Sequence, residues 1–298
     1  MAIAQQTDPV QAPPSPRPVR DGSTPGRWVR AAIMGVPLLI LVVWTLIPFL
    51  VTISVSLKTK GETFANYGLI PENPTTIAYQ QVLADPNFRG AFWNSLVVGL
   101  GTAVVSVLLA VPAAYAFARF RFRGRHLLLL FLLLPRLVPS LGLMVPLYRL
   151  AAATGQLDKR STLVFVYSGM LLPLAVWLLV GFFQQVPREI EEAANVDGAT
   201  LWDRMRYIVL PLAAPALITI VVLAFREAWN EFTLVLVLTS SPGRRTLPYE
   251  LFKLQSGEGI ANFPGEAAFA LLTVLPFILV YTRIERYVVA GLTAGSSK

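Results

Sequence analysis

Six long apolar runs, separated by short polar stretches, dominate the chain. They read as helices over Ala31 to Leu57, Trp93 to Ala118, Leu127 to Leu150, Ser161 to Phe183, Leu210 to Leu238 and Ala267 to Arg283. A hydrocarbon layer about 30 Å thick takes around 20 mostly apolar residues per helix, so each run is of spanning length. The expected fold class is therefore all-α, an integral membrane helical bundle of six transmembrane helices over residues 31–288. Residues 1–30, centred on QAPPSPRPVRDGSTPG, carry no apolar period and read as a disordered cytoplasmic tail. The first run is too long for the 7 to 15 residue core of a cleaved leader, so it reads as an uncleaved span. Residues 58–92, with PENPTT and DPNF turns, read as an outer cap of loops and short helices. Residues 289–298 are a short tail.

Composition sharpens this picture. Apolar residues make up 55% of 298 positions and charged residues 14%, against roughly 45–50% and about 25% in an ordinary soluble domain. The net charge of +8 does not indicate nucleic acid, because the basic residues flank apolar runs and form no stripe with interleaved aromatics. Arg119, Arg121, Arg123, Arg125, Arg188, Arg204, Arg206, Arg283 and Arg286 concentrate on one side of the predicted spans, which places both termini in the cytoplasm. Cysteine is absent, which excludes thiolate metal sites and cysteine nucleophiles. His126 is the one histidine and sits at a membrane boundary, so neither a His metal pair nor a triad can be assembled. The chain has no Gly-Lys pair and hence no P-loop to cradle a nucleotide. An intramembrane enzyme would have only Glu227 and Glu231 to work with.

Between the fourth and fifth runs lies VPREIEEAANVDGATLWDRMRYIVLPLAAPAL. It reads as an interfacial helix, a turn at Gly198 taken with positive φ, a second helix capped by Thr200, and a Pro-marked entry into the membrane. Glu189, Glu191 and Glu192 suit the positive end of the first helix, and Ala193 and Ala194 leave it slim enough for close docking.

Glu192, Ala193 and Ala194, then three residues, Asp197 closing that gap, Gly198, then nine residues, and Ile208, Val209, Leu210 and Pro211 resemble the EAA loop of ABC importer permeases. The chain is thereby identified as a member of the carbohydrate type, similar to the second permease of maltose-like systems. Supporting stretches are Trp93 to Arg119, AWNEF at 228–232, TLP at 246–248 and GLTAG at 291–295. The resemblance implies the type I importer permease fold, with 188–211 as a coupling helix in a groove of a separate ATPase dimer. ATP and Mg would be bound by that partner and no cofactor by this chain. It also implies a homologous second permease, an external solute-binding protein, a sugar substrate, and location in a prokaryotic inner membrane. Thr246, Leu247 and Pro248 would lie in the loop that meets the binding protein. Importers of peptides, amino acids or phosphate also carry a coupling loop, and a non-transporting scaffold for an ATPase is the remaining class.

FREAWNEF places Arg226, Glu227, Asn230 and Glu231 inside the fifth run, where a charge facing lipid costs roughly 2.5–3.5 kcal/mol. On a continuous helix they form one polar stripe with Trp229 at its edge. Arg136, between Pro135 and Pro139, sits where a helix must bend and is a candidate ion-pair partner for Glu227 or Glu231. Arg136, Arg226, Glu227, Trp229, Asn230 and Glu231 are the candidate lining of a translocation path. Locking the spans together is the alternative role.

Overall fold

The computed structural model describes residues 25–256 and 261–294, which contain helices and no strand. The chain divides into two compact units, Met1–Phe49 and Leu50–Lys298. Helix α1 (Pro25–Ser56) supplies all that is described of the first unit. It begins ahead of the expected boundary at Ala31, and the rest of the tail lies outside the described residues. Leu38, Leu39, Ile40, Leu41 and Trp44 of α1 are exposed, an apolar surface suited to hydrocarbon.

The second unit opens with two short helices, α2 (Lys60–Ala65) and α3 (Ile77–Ala84). Their loops are pinned by Lys58, which is buried and donates to the carbonyls of Asn66 and Gly68 at 2.8 and 2.6 Å. The backbone of the bundle is α4 (Pro86–Arg119), entered through an Asp85 cap and a proline in its first turn, where a missing N–H costs nothing. Then come α5 (Arg125–Leu133), α6 (Ser140–Ala153) and α7 (Arg160–Gln185), followed by the short α8 (Arg188–Val196) and α9 (Leu201–Arg204). A π-helical turn at Met205–Val209 leads through α10 (Leu210–Leu212) into α11 (Ala214–Asn230). The chain ends with α12 (Thr233–Leu238), α13 (Leu247–Gln255) and α14 (Phe263–Ala294).

Among the described residues, three helices are long and apolar enough to cross a membrane: Met34–Ser56, Pro86–Arg119 and Arg160–Gln185. Two bent pairs bring the number to five, one breaking by 94° between Leu137 and Ser140, the other by 78° between Leu212 and Ala214. Phe263–Ile278 is a shorter apolar helix. The third run, read as one span from Leu127 to Leu150 bent between Pro135 and Pro139, is two helices joined by a 3-10 turn at Leu134–Leu137. Pro135 and Pro139 remove backbone donors and forbid a straight helix there. The last helix extends past Arg283 to Ala294, so residues 289–294, expected as part of a short tail, are helical.

Packing centres on α4, whose small residues Gly99, Ala103, Ala110 and Ala114 let α7 and α11 approach closely. The gap at Gly99 is filled by Phe225, whose ring would lie 2.7 Å from an added Cβ. Near Arg119 the core holds Tyr115, Phe117, Leu179, Phe183, Val209 and Ile220. Near Asn94 a separate aromatic cluster joins Phe88, Trp229, Leu247 and Phe269. Lipid offers no hydrophobic drive between helices, so close contact and dispersion hold such a bundle.

Candidate functional site

The 188–211 segment forms at the Arg119 end of the bundle. Helix α8 starts after Pro187 with Glu189 and Glu191 in its first turn. It ends at Asp197, whose N–H reaches the Ala193 carbonyl, and Ala199 N–H reaches back to Ala194 O at 2.9 Å. Gly198 between them has φ +88°, the left-handed conformation expected of it. Thr200 then caps α9 in a reciprocal box. Its hydroxyl accepts from Asp203 N at 3.2 Å, and its own N–H donates to Asp203 Oδ2 at 3.0 Å. Glu192, Ala193 and Asp197 are exposed, as is Pro211, whereas Ala194, Ile208 and Leu210 are half-buried. The exposed set is a slim acidic ridge flanked by exposed Val196, Leu201, Trp202 and Tyr207.

Glu191 carries a role that sequence reasoning missed. It is 5% exposed and faces into the bundle, where Oε1 lies 2.5 Å from Arg119 Nη2 and Oε2 accepts from the Tyr115 hydroxyl at 2.7 Å. Arg119 Nη2 also donates to the Val186 carbonyl at 3.0 Å. One guanidinium therefore ties the last turn of α4 to both the approach to α8 and its acidic residue. The three closely spaced glutamates, Glu189, Glu191 and Glu192, offered no difference in residue type to single this one out. Helical phase does: Glu189 and Glu192 point away from the face that Glu191 presents to α4.

The charges of the fifth run are arranged differently from a continuous stripe. Helix α11 ends at Asn230, and Glu231 has extended backbone, φ −72° and ψ 122°. Its carboxylate accepts from Leu234 N at 3.0 and 3.1 Å and from Val235 N at 3.3 Å, so Glu231 caps α12. It also accepts from the Tyr167 hydroxyl at 2.9 Å. Arg136 accordingly pairs with Glu227, at 3.7 Å, and Arg226 lies 4.0 Å from the same oxygen. The Asn230 amide donates to Arg226 O at 3.0 Å and stays exposed. Trp229 does not join this group. It is 2% exposed, with Phe92, Phe225 and Phe277 rings 5.2 to 5.8 Å from its own. Helical phase within α11 turns Arg226, Glu227 and Asn230 one way and leaves the indole packed against α4 and α14, while the break removes Glu231 from the stripe. Two guanidiniums around one carboxylate, with the exposed Asn230 amide nearby, remain on the open face. Arg136 also lines a cavity of about 320 Å³ with Val138, Leu147, Phe165 and Met170.

The expected docking triplet is likewise relocated. Thr246 and Leu247 are buried and only Pro248 is partly open, because Leu247 N–H donates to Ser95 Oγ at 2.9 Å. Asn94 holds the carbonyls of Gly243 and Arg245 at 3.0 and 2.8 Å. The triplet anchors its loop to α4 instead of presenting a surface, since a buried helix start needs its donors satisfied. Asp158 anchors the other side of this loop. It accepts from Ser240 and Ser241 N–H at 3.0 and 3.1 Å and from the Ser241 hydroxyl. Burial pushes its carboxyl up, but the Ser241 hydroxyl, the Ser240 and Ser241 amides and Arg244 outweigh this and hold it below its usual value. A depressed carboxylate stabilises above the unfolded pKa, about pH 4, and that stability is lost as pH falls through the lower folded value. Protease protection of the Thr239–Arg245 segment should therefore weaken as the pH falls below about 4. Asp158→Asn should show weakened protection already at neutral pH, and pH-independent protection in the unaltered chain would refute the anchor.

Residues 106–293 match the family described as binding-protein-dependent transport system inner membrane component. The chain belongs to this family. Among curated relatives of this permease, the trehalose transport system permease protein SugB of Mycobacterium tuberculosis is 36% identical over 265 residues, covering 86% of this chain and 93% of that protein. The sulfoquinovosyl glycerol transport system permease protein SmoH of Agrobacterium fabrum is 34% identical over 275 residues, covering 92% and 94%. The trehalose/maltose permease protein MalG of Thermococcus litoralis is 32% identical over 255 residues, covering 85% and 91%. A chain in the crystal structure of a bacterial ABC transporter for alginate import has a TM-score of 0.79 at 22% identity, covering 89% of this permease and 98% of that chain. That likeness shows a shared type I importer permease fold. The family match spans α8, the Gly198 turn and the whole of α11, whereas Phe92, Asn94 and Ser95 of α4 lie ahead of it.

Proposed function

We propose that this permease forms half of the translocation pathway for a sugar or oligosaccharide, with a homologous second permease supplying the other half. The observation that carries the reading is α8 with its exposed acidic ridge and left-handed Gly198, a slim shape suited to docking in a groove. ATP and Mg would be bound by an ATPase dimer on that ridge, and an external solute-binding protein would deliver the substrate. The sugar class is supported by the relatives named for trehalose, maltose and sulfoquinovosyl glycerol. The polytopic chain would lie in a prokaryotic inner membrane with both termini cytoplasmic, six spans in all. In this scheme Glu192, Ala193, Ala194, Asp197 and Gly198 meet the ATPase, while Ile208, Leu210 and Pro211 lead back into the bundle. Contact with the binding protein would fall to the exposed Gly243 and Arg244 beside the buried triplet.

On the pathway side, Arg136, Arg226, Glu227 and Asn230 would meet the permeating solute, since charged groups in a membrane must face protein or water. Proteoliposomes holding both permeases, the ATPase and the binding protein should accumulate sugar with ATP. Accumulation of a peptide, amino acid or phosphate instead would replace the sugar reading, and hydrolysis without uptake of any solute would indicate a scaffold. In the same vesicles Asn230→Ala and Glu227→Gln should raise the uptake KM by about three- to tenfold, as losing one hydrogen bond or charge contact does. Unchanged KM for both would remove these residues from the path.

A further inference from the structure

We propose that Glu191, Arg119 and Tyr115 form a buried key through which α4, ahead of the fifth span, receives the motion of α8. The inference rests on the reading that α8 docks on a separate ATPase.

Two routes lead from α8 into the bundle. The covalent one runs through Gly198 at φ +88°, a π-helical turn at Met205–Val209 and a 78° bend at Leu212–Ala214. Irregular backbone of this kind absorbs displacement, as hinges do. The second route is short and stiff. Side chains of Arg119 and Glu191 are 10% and 6% exposed and 2.5 Å apart, and the Tyr115 hydroxyl reaches the other carboxylate oxygen at 2.7 Å. Arg188 Nη2 adds a contact to Ala118 O at 3.5 Å. A buried ion pair contributes little net stability, yet removing one partner strands a charge, so such a pair fixes register better than apolar packing does. Apolar surfaces slide; this contact holds one position.

Where α4 leads explains what the key is for. Its 34 residues span about 51 Å at 1.5 Å per residue, from Arg119 past Asn94 to Pro86. Along that length it packs on α7 and on α11, and at Gly99 it presses on Phe225, the residue next to Arg226 and Glu227. Displacement of α4 thus reaches the exposed charges from the side, without passing through the bend at Leu212–Ala214. Arg119, Tyr115 and Glu191 are positioning residues on this view, and they touch neither nucleotide nor solute.

The test uses the assembled complex in proteoliposomes. Glu191→Gln and Arg119→Gln should keep assembly and ATP hydrolysis but lower sugar moved per ATP by about tenfold, the size of ordinary coupling between sites. Combining Arg119→Glu with Glu191→Arg should recover at least half of the loss, a rescue that general destabilisation would not give. Lys60→Gln, at the exposed start of α2 and outside the docking segment, should behave as the unaltered chain. Because the chain has no cysteine, spin labels can be placed cleanly on the charge-intact protein. A Glu189–Phe120 pair should keep its distance with and without ATP, and an Asn195–Leu212 pair across the irregular stretch should change. Movement of the first pair with constancy of the second overturns the key, whether or not the charge variants fold. So does unchanged uptake per ATP in Glu191→Gln and Arg119→Gln. Failure of a cysteine at Asn195 to cross-link to the ATPase would instead overturn the docking reading beneath it.

Discussion

Trp229→Ala is expected to destabilise the permease by on the order of 3 kcal/mol, with little effect on which sugar it carries. The indole is 2% exposed and meets three rings, Phe92, Phe225 and Phe277, edge-on or tilted. Deleting it leaves a cavity that α4, α11 and α14 cannot close without shifting the whole cluster. In lipid the transfer term shrinks, since the unfolded helix also sits among hydrocarbon, so the loss of dispersion contacts carries most of the cost. The indole N–H makes no hydrogen bond among the described residues. Trp229→Phe should therefore be tolerated, because it gives up area but no polar partner. Thermal unfolding of the purified complex separates the two variants. If Trp229→Ala kept full stability while its substrate range changed, the residue would belong to the pathway after all.

Gly198→Lys is expected to cut uptake by tenfold or more while membrane insertion and chain level stay normal. The reason is conformational, because an added Cβ at Gly198 meets nothing within 4 Å. A residue with a side chain pays roughly 1–2 kcal/mol in the left-handed region, enough to shift the turn and rotate the exposed ridge relative to α9. Asn tolerates that region, so Gly198→Asn should retain most uptake, with Gly198→Ala between the two. Uptake and ATP hydrolysis measured together give the readout, since hydrolysis should continue in Gly198→Lys without transport. Loss of insertion instead would make the segment structural. Equal damage from Asn and Lys would mean that the docking surface at Gly198, more than the turn, is what fails.

Glu231 shows how a correct chemical expectation met an incorrect geometric one. Its carboxylate in an apolar run demanded partners, and it has them, but they are the amides of α12 and the Tyr167 hydroxyl. A helix broken at that residue exposes backbone donors, and a neighbouring carboxylate satisfies them at lower cost than a distant arginine can. Arg136 then keeps Glu227 alone. Thr246 and Leu247 follow the same logic, because their loop start is buried and its donor had to be met by Ser95.

Sequence alone determined the class of the protein, the glycine turn, the Thr200 cap and the need for Arg136 to find a carboxylate. Each depends on a local rule of spacing, φ preference or the cost of charge in hydrocarbon. Tertiary structure decided which of the glutamates 189, 191 and 192 turns inward, where the fifth run breaks, and that Trp229 packs instead of lining a path. Those outcomes depend on helical phase relative to a neighbour distant in sequence. Residue type reports what a side chain requires, and only the packed neighbours determine which of its requirements is met first.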